Sequence, residues 1–328
     1  MKTKGEKSQF SKFVSDNGTW AVLIVLIVLV TIINRNFLTP ANAVALLTGE
    51  SVKGILTFGV MLAILAKGTD LSTGAVAALS AVVSAGLCQE GATKLWANIP
   101  TMPAIVGILA GACVGIIVGC ANGAMVAYLH LHPFIATLGT QLICRALCKL
   151  ITPGPVSHLS KSFRFLGNGK VGPFHMIVIM LIIFFLVGAF MLRETRFGKS
   201  VYAVGGNDQA ARVAGINVET TLLRVYIWCS FCAAIGGVLL AGRSDSADPA
   251  NTGLQYELDA IAAATVGGTS QTGGICRISG VVSGILIMGV INNGMVMMGV
   301  NDQMTFIVKG LIIIGSVAFD MRKNRVKA

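Results

Sequence analysis

The chain has 328 residues, of which 54% are apolar and only 12% are charged, and Lys and Arg outnumber Asp and Glu by 25 to 14. The charged share is about half of that expected for a soluble domain, which excludes an ordinary soluble globule. Nucleic acid, anionic lipid and membrane topology are all possible reasons for the net charge of +11, and the positions of the charges must distinguish them.

Nine apolar stretches have the length and composition of membrane-crossing helices. They follow a polar, basic segment, residues 1–18, and cover residues 20–33, 52–66, 71–88, 102–128, 134–151, 171–192, 222–241, 279–298 and 304–321. A further apolar segment, residues 258–266, would rise only about 14 Å as a helix, which is half of a bilayer. The sequence therefore predicts an all-α integral membrane protein, one permease-like domain over residues 1–328, with nine clear spans and one half-length segment.

The basic residues predict an orientation. With a cytoplasmic N-terminus and the half-length segment counted as a crossing, more than half of the 25 Lys and Arg residues fall in cytoplasmic segments. Both termini are basic, and both lie inside only if the number of crossings is even, a condition that ten satisfies and nine does not. We therefore expect about ten transmembrane helices and cytoplasmic termini, and the positive charge then marks membrane topology, with no nucleic acid involved.

Glycine recurs at every fourth position of the fourth span. This spacing places the five residues along one face of a helix. Small residues let two helix backbones approach closely in lipid. We expect a tight helix contact inside the protein, with a pore-lining face as the alternative. The residues are Gly107, Gly111, Gly115, Gly119 and Gly123.

Charged residues within spans are functional candidates, because a charge in lipid is costly. Asp70 opens the third span, where it either lines a pathway or caps the helix N-terminus. Glu50 and Lys53 are three residues apart and are expected to pair on one helix face. Four others are each compatible with a place at the membrane interface: Arg145, Glu257, Asp259 and Lys309.

Polar uncharged residues also lie inside spans. Their side chains either line a wet path for a hydroxyl-rich solute or bond across helices, and the sequence leaves both open. Together with Asp70 and Ser72, the translocation-path candidates are Asn122, Thr137, Thr140, Gln141, Asn292 and Asn293.

The residues needed for enzyme chemistry are not arranged in a known pattern. The histidines have no metal-ligand spacing. Gly198, Lys199 and Ser200 match the end of a nucleotide-binding P-loop, but Arg193 stands where its first glycine belongs. We expect no catalytic site, no metal and no cofactor, and we expect ATP to be hydrolysed by another chain if transport uses it.

The longest predicted cytoplasmic loop, residues 193–221, carries a short helical pattern. Asp208 is expected to open this helix and Gly215 to end it. A helix with a small-residue face suits either docking into a partner's groove or an ordinary connection. On the other side, residues 152–170 contain Pro153 and Pro155 and are expected to form an irregular external loop.

Several segments combine in a pattern typical of one family. Residues 67–74 contain Asp70-Leu71-Ser72, residues 195–217 surround Gly205-Gly206, and residues 256–270 follow. Together they resemble the permease subunits of bacterial ABC importers for monosaccharides, the ribose, galactose and xylose permease family. Residues 132–140 are similar to the galactose branch, and the resemblance covers nearly the whole chain.

The resemblance implies a multi-pass protein of the bacterial inner membrane that moves a monosaccharide inward by alternating access. The implied partners are an ATP-binding-cassette ATPase subunit, a periplasmic or lipid-anchored sugar-binding protein and a second permease, identical or closely related. An importer for another small solute, such as a branched-chain amino acid, and a proton-coupled transporter that uses Asp70 are the alternatives. The implied coupling loop to the ATPase falls within residues 193–221, on Gly205, Gly206, Asn207, Asp208, Ala210, Ala211 and Gly215.

Overall fold

The computed structural model describes residues 9–91 and 94–325, which are predominantly helical. The helices are α1 Gln9–Ile33, α2 Pro40–Leu65, α3 Thr73–Cys88, α4 Ala104–Ala127, α5 Pro133–Ile151, α6 Lys161–Asn168, α7 Met176–Glu194, α8 Arg196–Gly206, α9 Asp208–Val213, α10 Val218–Ser244, α11 Tyr256–Val266, α12 Ile278–Met297 and α13 Asp302–Arg325. A 3-10 turn, Arg35–Leu38, links α1 to α2. The all-α prediction is confirmed.

Each predicted span overlaps a helix, although the start of span 171–192 lies in two short strands, Lys170–Val171 and Phe174–His175, and its helix, α7, begins only at Met176. Seven helices of the described ranges are long and apolar enough to cross a membrane, namely α2, α4, α5, α7, α10, α12 and most of α13. The apolar part of α1, Gly18–Ile33, and α3 are shorter. The half-length segment forms α11, whose 11 residues rise about 16 Å. The first helix extends back to Gln9, inside the basic segment 1–18.

Helices α2 and α10 form the centre of the fold and are buried along most of their length. Helix α10 packs against α4, α3 and α2, while α2 also contacts α7, α11 and α12. Helices α4, α5 and α7 turn one apolar face outward, with Ile117, Leu142 and Phe190 among the exposed residues. Such a surface suits contact with lipid.

The glycine stripe of α4 packs against α10 and α3, as predicted. All five glycines are buried. A Cβ built on Gly115 would lie 2.5 Å from Ala234 Cβ and 2.7 Å from the Ser230 carbonyl oxygen. A Cβ on Gly119 would lie 2.6 Å from Ile227 Cα. The stripe therefore forms a close internal helix contact and does not line a pore.

The expectation of an irregular segment over residues 152–170 was wrong. Helix α6 lies within it, because Ser160 Oγ accepts the Phe163 amide at the helix start and the Phe163 side chain is fully buried. A two-residue strand, β1 (Val156–Ser157), pairs antiparallel with β4 (Ser246–Ala247). Strands β2 (Lys170–Val171) and β3 (Phe174–His175) form a second antiparallel pair.

Candidate translocation site and the α8–α9 loop

A chain of buried hydrogen bonds joins the turn before α3 to α4 and α5. Asp70 is fully buried, and its Oδ1 accepts from the Ser72 amide at 2.9 Å and from Ser72 Oγ at 2.6 Å. Asn122 Nδ2 donates to Ser72 Oγ at 2.9 Å, and Thr140 Oγ1 donates to Asn122 Oδ1 at 2.6 Å. The donors all point towards the carboxylate, so these bonds polarise one another.

Thr137 of α5 makes a second hydrogen bond to the same turn, in which its Oγ1 accepts from the Leu71 amide at 3.2 Å. We call Asp70, Ser72, Asn122, Thr137 and Thr140 the polar cluster. All five are buried, so the cluster is closed in this conformation. Hydroxyl and amide groups of this kind can exchange hydrogen bonds with a hydroxyl-rich solute once the helices separate.

Asp70 does not cap α3, so that part of the sequence interpretation was wrong. The helix begins at Thr73 after Ser72, and Ser72 makes no side-chain cap bond. Asp70 instead orders the preceding turn. Its second oxygen, Oδ2, and the hydroxyl of Tyr226 have no hydrogen-bond partner among the described residues.

The other path candidates lie elsewhere. Gln141 Nε2 donates to Glu257 Oε1 of α11 at 3.3 Å. Asn292 Nδ2 donates to Glu50 Oε1 at 2.9 Å, and Asn293 exchanges hydrogen bonds with Asn42 at 2.9 and 3.0 Å. The candidates thus form separate groups in this conformation, and the two asparagines of α12 tie that helix to α2.

Four charged side chains form a second buried group, the ion cluster. Lys53 Nζ lies 3.1 Å from Glu50 Oε1, which is the expected pair, and 3.2 Å from Asp259 Oδ2. Lys309 Nζ lies 2.9 Å from Asp259 Oδ1. The side chains are at most 16% exposed, so Asp259 and Lys309 are paired inside the protein and do not extend to the membrane interface. The cluster joins α2, α11 and α13 with balanced charge.

Removing one member of the ion cluster is expected to destabilise the fold. Lys309→Met leaves an unbalanced carboxylate in a low-dielectric interior, and we expect a loss of about 3–5 kcal/mol in the free energy of unfolding. The double variant Lys309→Met with Asp259→Asn keeps the Glu50–Lys53 pair and is expected to recover most of this loss. Denaturant unfolding in detergent measures both, with Lys149→Met, an exposed lysine of α5, as the control. Equal stability of Lys309→Met and the control would contradict a structural role.

The predicted coupling loop, residues 193–221, contains α8 and α9. Helix α9 begins at Asp208, as predicted, with Asn207 Oδ1 accepting the Ala210 amide at 3.0 Å. Gly215, with φ of +80°, ends this segment in the left-handed region, where glycine is favoured. The P-loop resemblance is not realised, because α8 follows helix α7 directly, whereas the helix of a P-loop follows a strand and a glycine-rich loop.

Ala211 is buried, which corrects the idea that it forms the outer docking face of this loop. It packs against Val204 of α8 and Val218 of α10. The outward residues of α9 include Val213, whose side chain is 91% exposed. Val213 is therefore an exposed apolar side chain on the outside of this loop.

The loop contacts the segment that carries the polar cluster. Lys67 Nζ donates to the Gly206 carbonyl oxygen at 3.3 Å. The Gly274 amide donates to the Leu65 carbonyl oxygen at 2.9 Å. Gly205 is buried against Leu65 and Gly274, and their backbone atoms leave no room for a Cβ at this position. Only two residues separate Lys67 from Asp70, so α8 contacts the segment next to the turn that holds Asp70.

No metal site accompanies these groups. Within residues 9–91 and 94–325, no group of three or more His, Cys, Asp or Glu side chains is arranged to hold a metal ion.

Sequence comparisons identify the family of this chain. The profile of a family described as branched-chain amino acid transport system, permease component, matches residues 42–317. The chain belongs to this permease family.

Curated relatives match almost the whole permease. It is 39% identical to the galactose/methyl galactoside import permease protein MglC of Escherichia coli K12, over 97% of each chain. It is 34% identical to the ribose import permease protein RbsC of Bacillus subtilis, over 99% of this chain and 98% of that protein. It is 36% identical to RbsC of Escherichia coli K12, over 92% of each chain. No solved structure matches the permease at a significant level.

Proposed function

We propose that this permease is the membrane-spanning subunit of an ATP-binding-cassette importer that carries a galactose- or ribose-type monosaccharide across the inner membrane. The observation that carries the proposal is the full-length likeness to galactose and ribose import permeases at 34–39% identity. The polar cluster supports it, because a neutral sugar needs hydroxyl and amide partners and no fixed counter-ion. Strong selectivity then belongs mostly to the sugar-binding protein, and the permease provides a permissive path.

The proposed topology has ten crossings with both termini in the cytoplasm. Helix α11 counts as a crossing although it is short, and its burial among α2, α12 and α13 supports this, since a partial crossing must be enclosed by protein. This orientation places α8 and α9 in the cytoplasm and the ion cluster nearer to the external side.

The proposed mechanism couples ATP hydrolysis on a separate subunit to the polar cluster. ATP-driven closure of two ATPase subunits moves α8 and α9, and the contacts of Gly205 and Lys67 transmit this motion to the turn at Asp70. Rearrangement of that turn breaks the hydrogen bonds from Asn122 to Ser72 and from the Leu71 amide to Thr137, so the closed cluster opens to one side. A second permease, identical or closely related, completes the path, and a periplasmic or lipid-anchored sugar-binding protein delivers the substrate.

Co-expression with candidate partner genes tests the proposal. We expect an ATPase subunit to co-purify with the permease, and its ATP hydrolysis to rise when a binding protein loaded with galactose or ribose is added. Stimulation by a leucine-loaded binding protein and by neither sugar would contradict the sugar assignment and favour an amino-acid importer. Failure of every ATPase subunit to co-purify would contradict the coupling role of α8 and α9.

A further inference from the structure

A cavity of about 350 Å³ opens between the end of α7, the middle of α8 and the start of α12. It lies apart from the polar cluster and the ion cluster. Two arginines, Arg193 and Arg277, contribute to its wall, and the wall contains no acidic side chain. The full lining is Leu192, Arg193, Tyr202, Cys276, Arg277, Ile278 and Ser279.

The remaining titratable groups of the cavity stay uncharged at neutral pH. Burial raises the pKa of Tyr202 to about 12, and its hydroxyl donates to the Cys276 carbonyl oxygen at 3.1 Å. Burial also raises the pKa of the Cys276 thiol to about 11. Arg193 therefore gives the lining a positive charge, which favours an anionic ligand.

The start of α12 adds to this preference. Ile278 and Ser279 are the first residues of a 20-residue helix. Amide groups at a helix N-terminus favour negative charge, and guanidinium groups match the oxygens of phosphate in a bidentate fork. Phosphate is therefore the ligand group that suits the wall.

The surface next to the cavity indicates where this phosphate comes from. Ile183, Leu186 and Phe190 of α7 are 44%, 58% and 63% exposed. They precede Arg193 by ten, seven and three residues, which are spacings that place side chains on one face of a helix. The three side chains therefore form an apolar stripe along α7 that leads to Arg193. A lipid with its acyl chains along this stripe brings its headgroup to Arg193, whereas a soluble phosphate makes no use of it.

We infer that this cavity binds the phosphate headgroup of an anionic phospholipid, with the acyl chains lying along Ile183, Leu186 and Phe190. In the proposed orientation the lipid belongs to the cytoplasmic leaflet. The headgroup then lies between α7, which contacts the bilayer, and α8, which belongs to the coupling loop. This inference uses the proposed orientation, but lipid binding is measured without a transport assay. A negative result for lipid binding can therefore be distinguished from a negative result for sugar transport.

Titration of the purified, detergent-solubilised permease with short-chain phosphatidylglycerol tests this inference. Arg193→Gln is expected to weaken binding roughly tenfold, since it removes a charge-assisted hydrogen bond. The matched control is Arg196→Gln, an exposed arginine of the same segment outside the cavity, which should bind as the wild type does. Arg193→Lys keeps the charge and should lose less, and comparing the melting curves of all three variants identifies any folding defect.

Three results would overturn the inference. One is equal affinity of wild type and Arg193→Gln for phosphatidylglycerol. Another is equal affinity of the wild type for phosphatidylglycerol and zwitterionic phosphatidylcholine. The third is displacement of the lipid by low concentrations of inorganic phosphate, which would assign the cavity to a soluble anion.

Discussion

Replacing Gly115 by leucine is expected to abolish the folded permease. The new Cβ alone would approach Ala234 Cβ to 2.5 Å and the Ser230 carbonyl oxygen to 2.7 Å, so α4 and α10 must separate to admit the side chain. Overpacking a fixed backbone contact costs about 3 kcal/mol or more. Because α10 is central, the loss should extend through the fold and appear as a collapse of the monodisperse peak in detergent size-exclusion chromatography.

Ile116→Leu is the control, since Ile116 is the next residue of α4 and is 42% exposed on the outer face. It should elute and melt like the wild type. Gly115→Ala, which adds only the Cβ, should fall between the two. A Gly115→Leu permease that accumulates and melts normally would show that α4 and α10 do not require this close approach.

Val213→Asp is expected to disconnect the permease from its ATPase while leaving the permease folded. Val213 is 91% exposed on α9, so the substitution disturbs little inside the chain. In an interface with the ATPase it would bury an unpaired charge and remove an apolar anchor. A loss of about 2 kcal/mol, or roughly thirtyfold in affinity, is typical of such a position. Co-purification of the ATPase and sugar-stimulated ATP hydrolysis measure the effect.

Two further variants separate docking from folding. Val171→Asp, at an exposed valine of β2 on the opposite side in the proposed topology, should change neither measurement. Ala211→Arg should instead reduce the stability of the permease, because Ala211 packs against Val204 and Val218. If Val213→Asp retained full ATPase binding and stimulation, α9 would not be the docking element.

The helical layout follows from the sequence because hydropathy and helical periodicity are local properties. The glycines at every fourth position of α4 predict a narrow face of small residues without any knowledge of the partner helix. In the structure that face contacts α10. The Glu50–Lys53 pair was predictable for the same reason, since residues three apart on a helix are neighbours. Even the short α11 is evident from the length of its apolar run.

The grouping of polar residues was not predictable, because it depends on which helices meet. Asn122 and Asn292 look alike in sequence, but the first bonds Ser72 and the second bonds Glu50. Asp259 and Lys309 are 50 residues apart, and nothing local relates them. The burial of Ala211 was not predictable either, because a six-residue helix rich in alanine has no clear apolar side.

The measurement that tests the proposed function most directly is uptake of radiolabelled galactose and ribose by proteoliposomes. They would hold the permease, its ATPase subunit and the loaded sugar-binding protein. We predict uptake of at least one sugar that requires ATP on the side of α8 and α9 and that is lost in the Val213→Asp variant. Sugar uptake driven by a proton gradient through the permease alone, without an ATPase, would contradict the proposed mechanism.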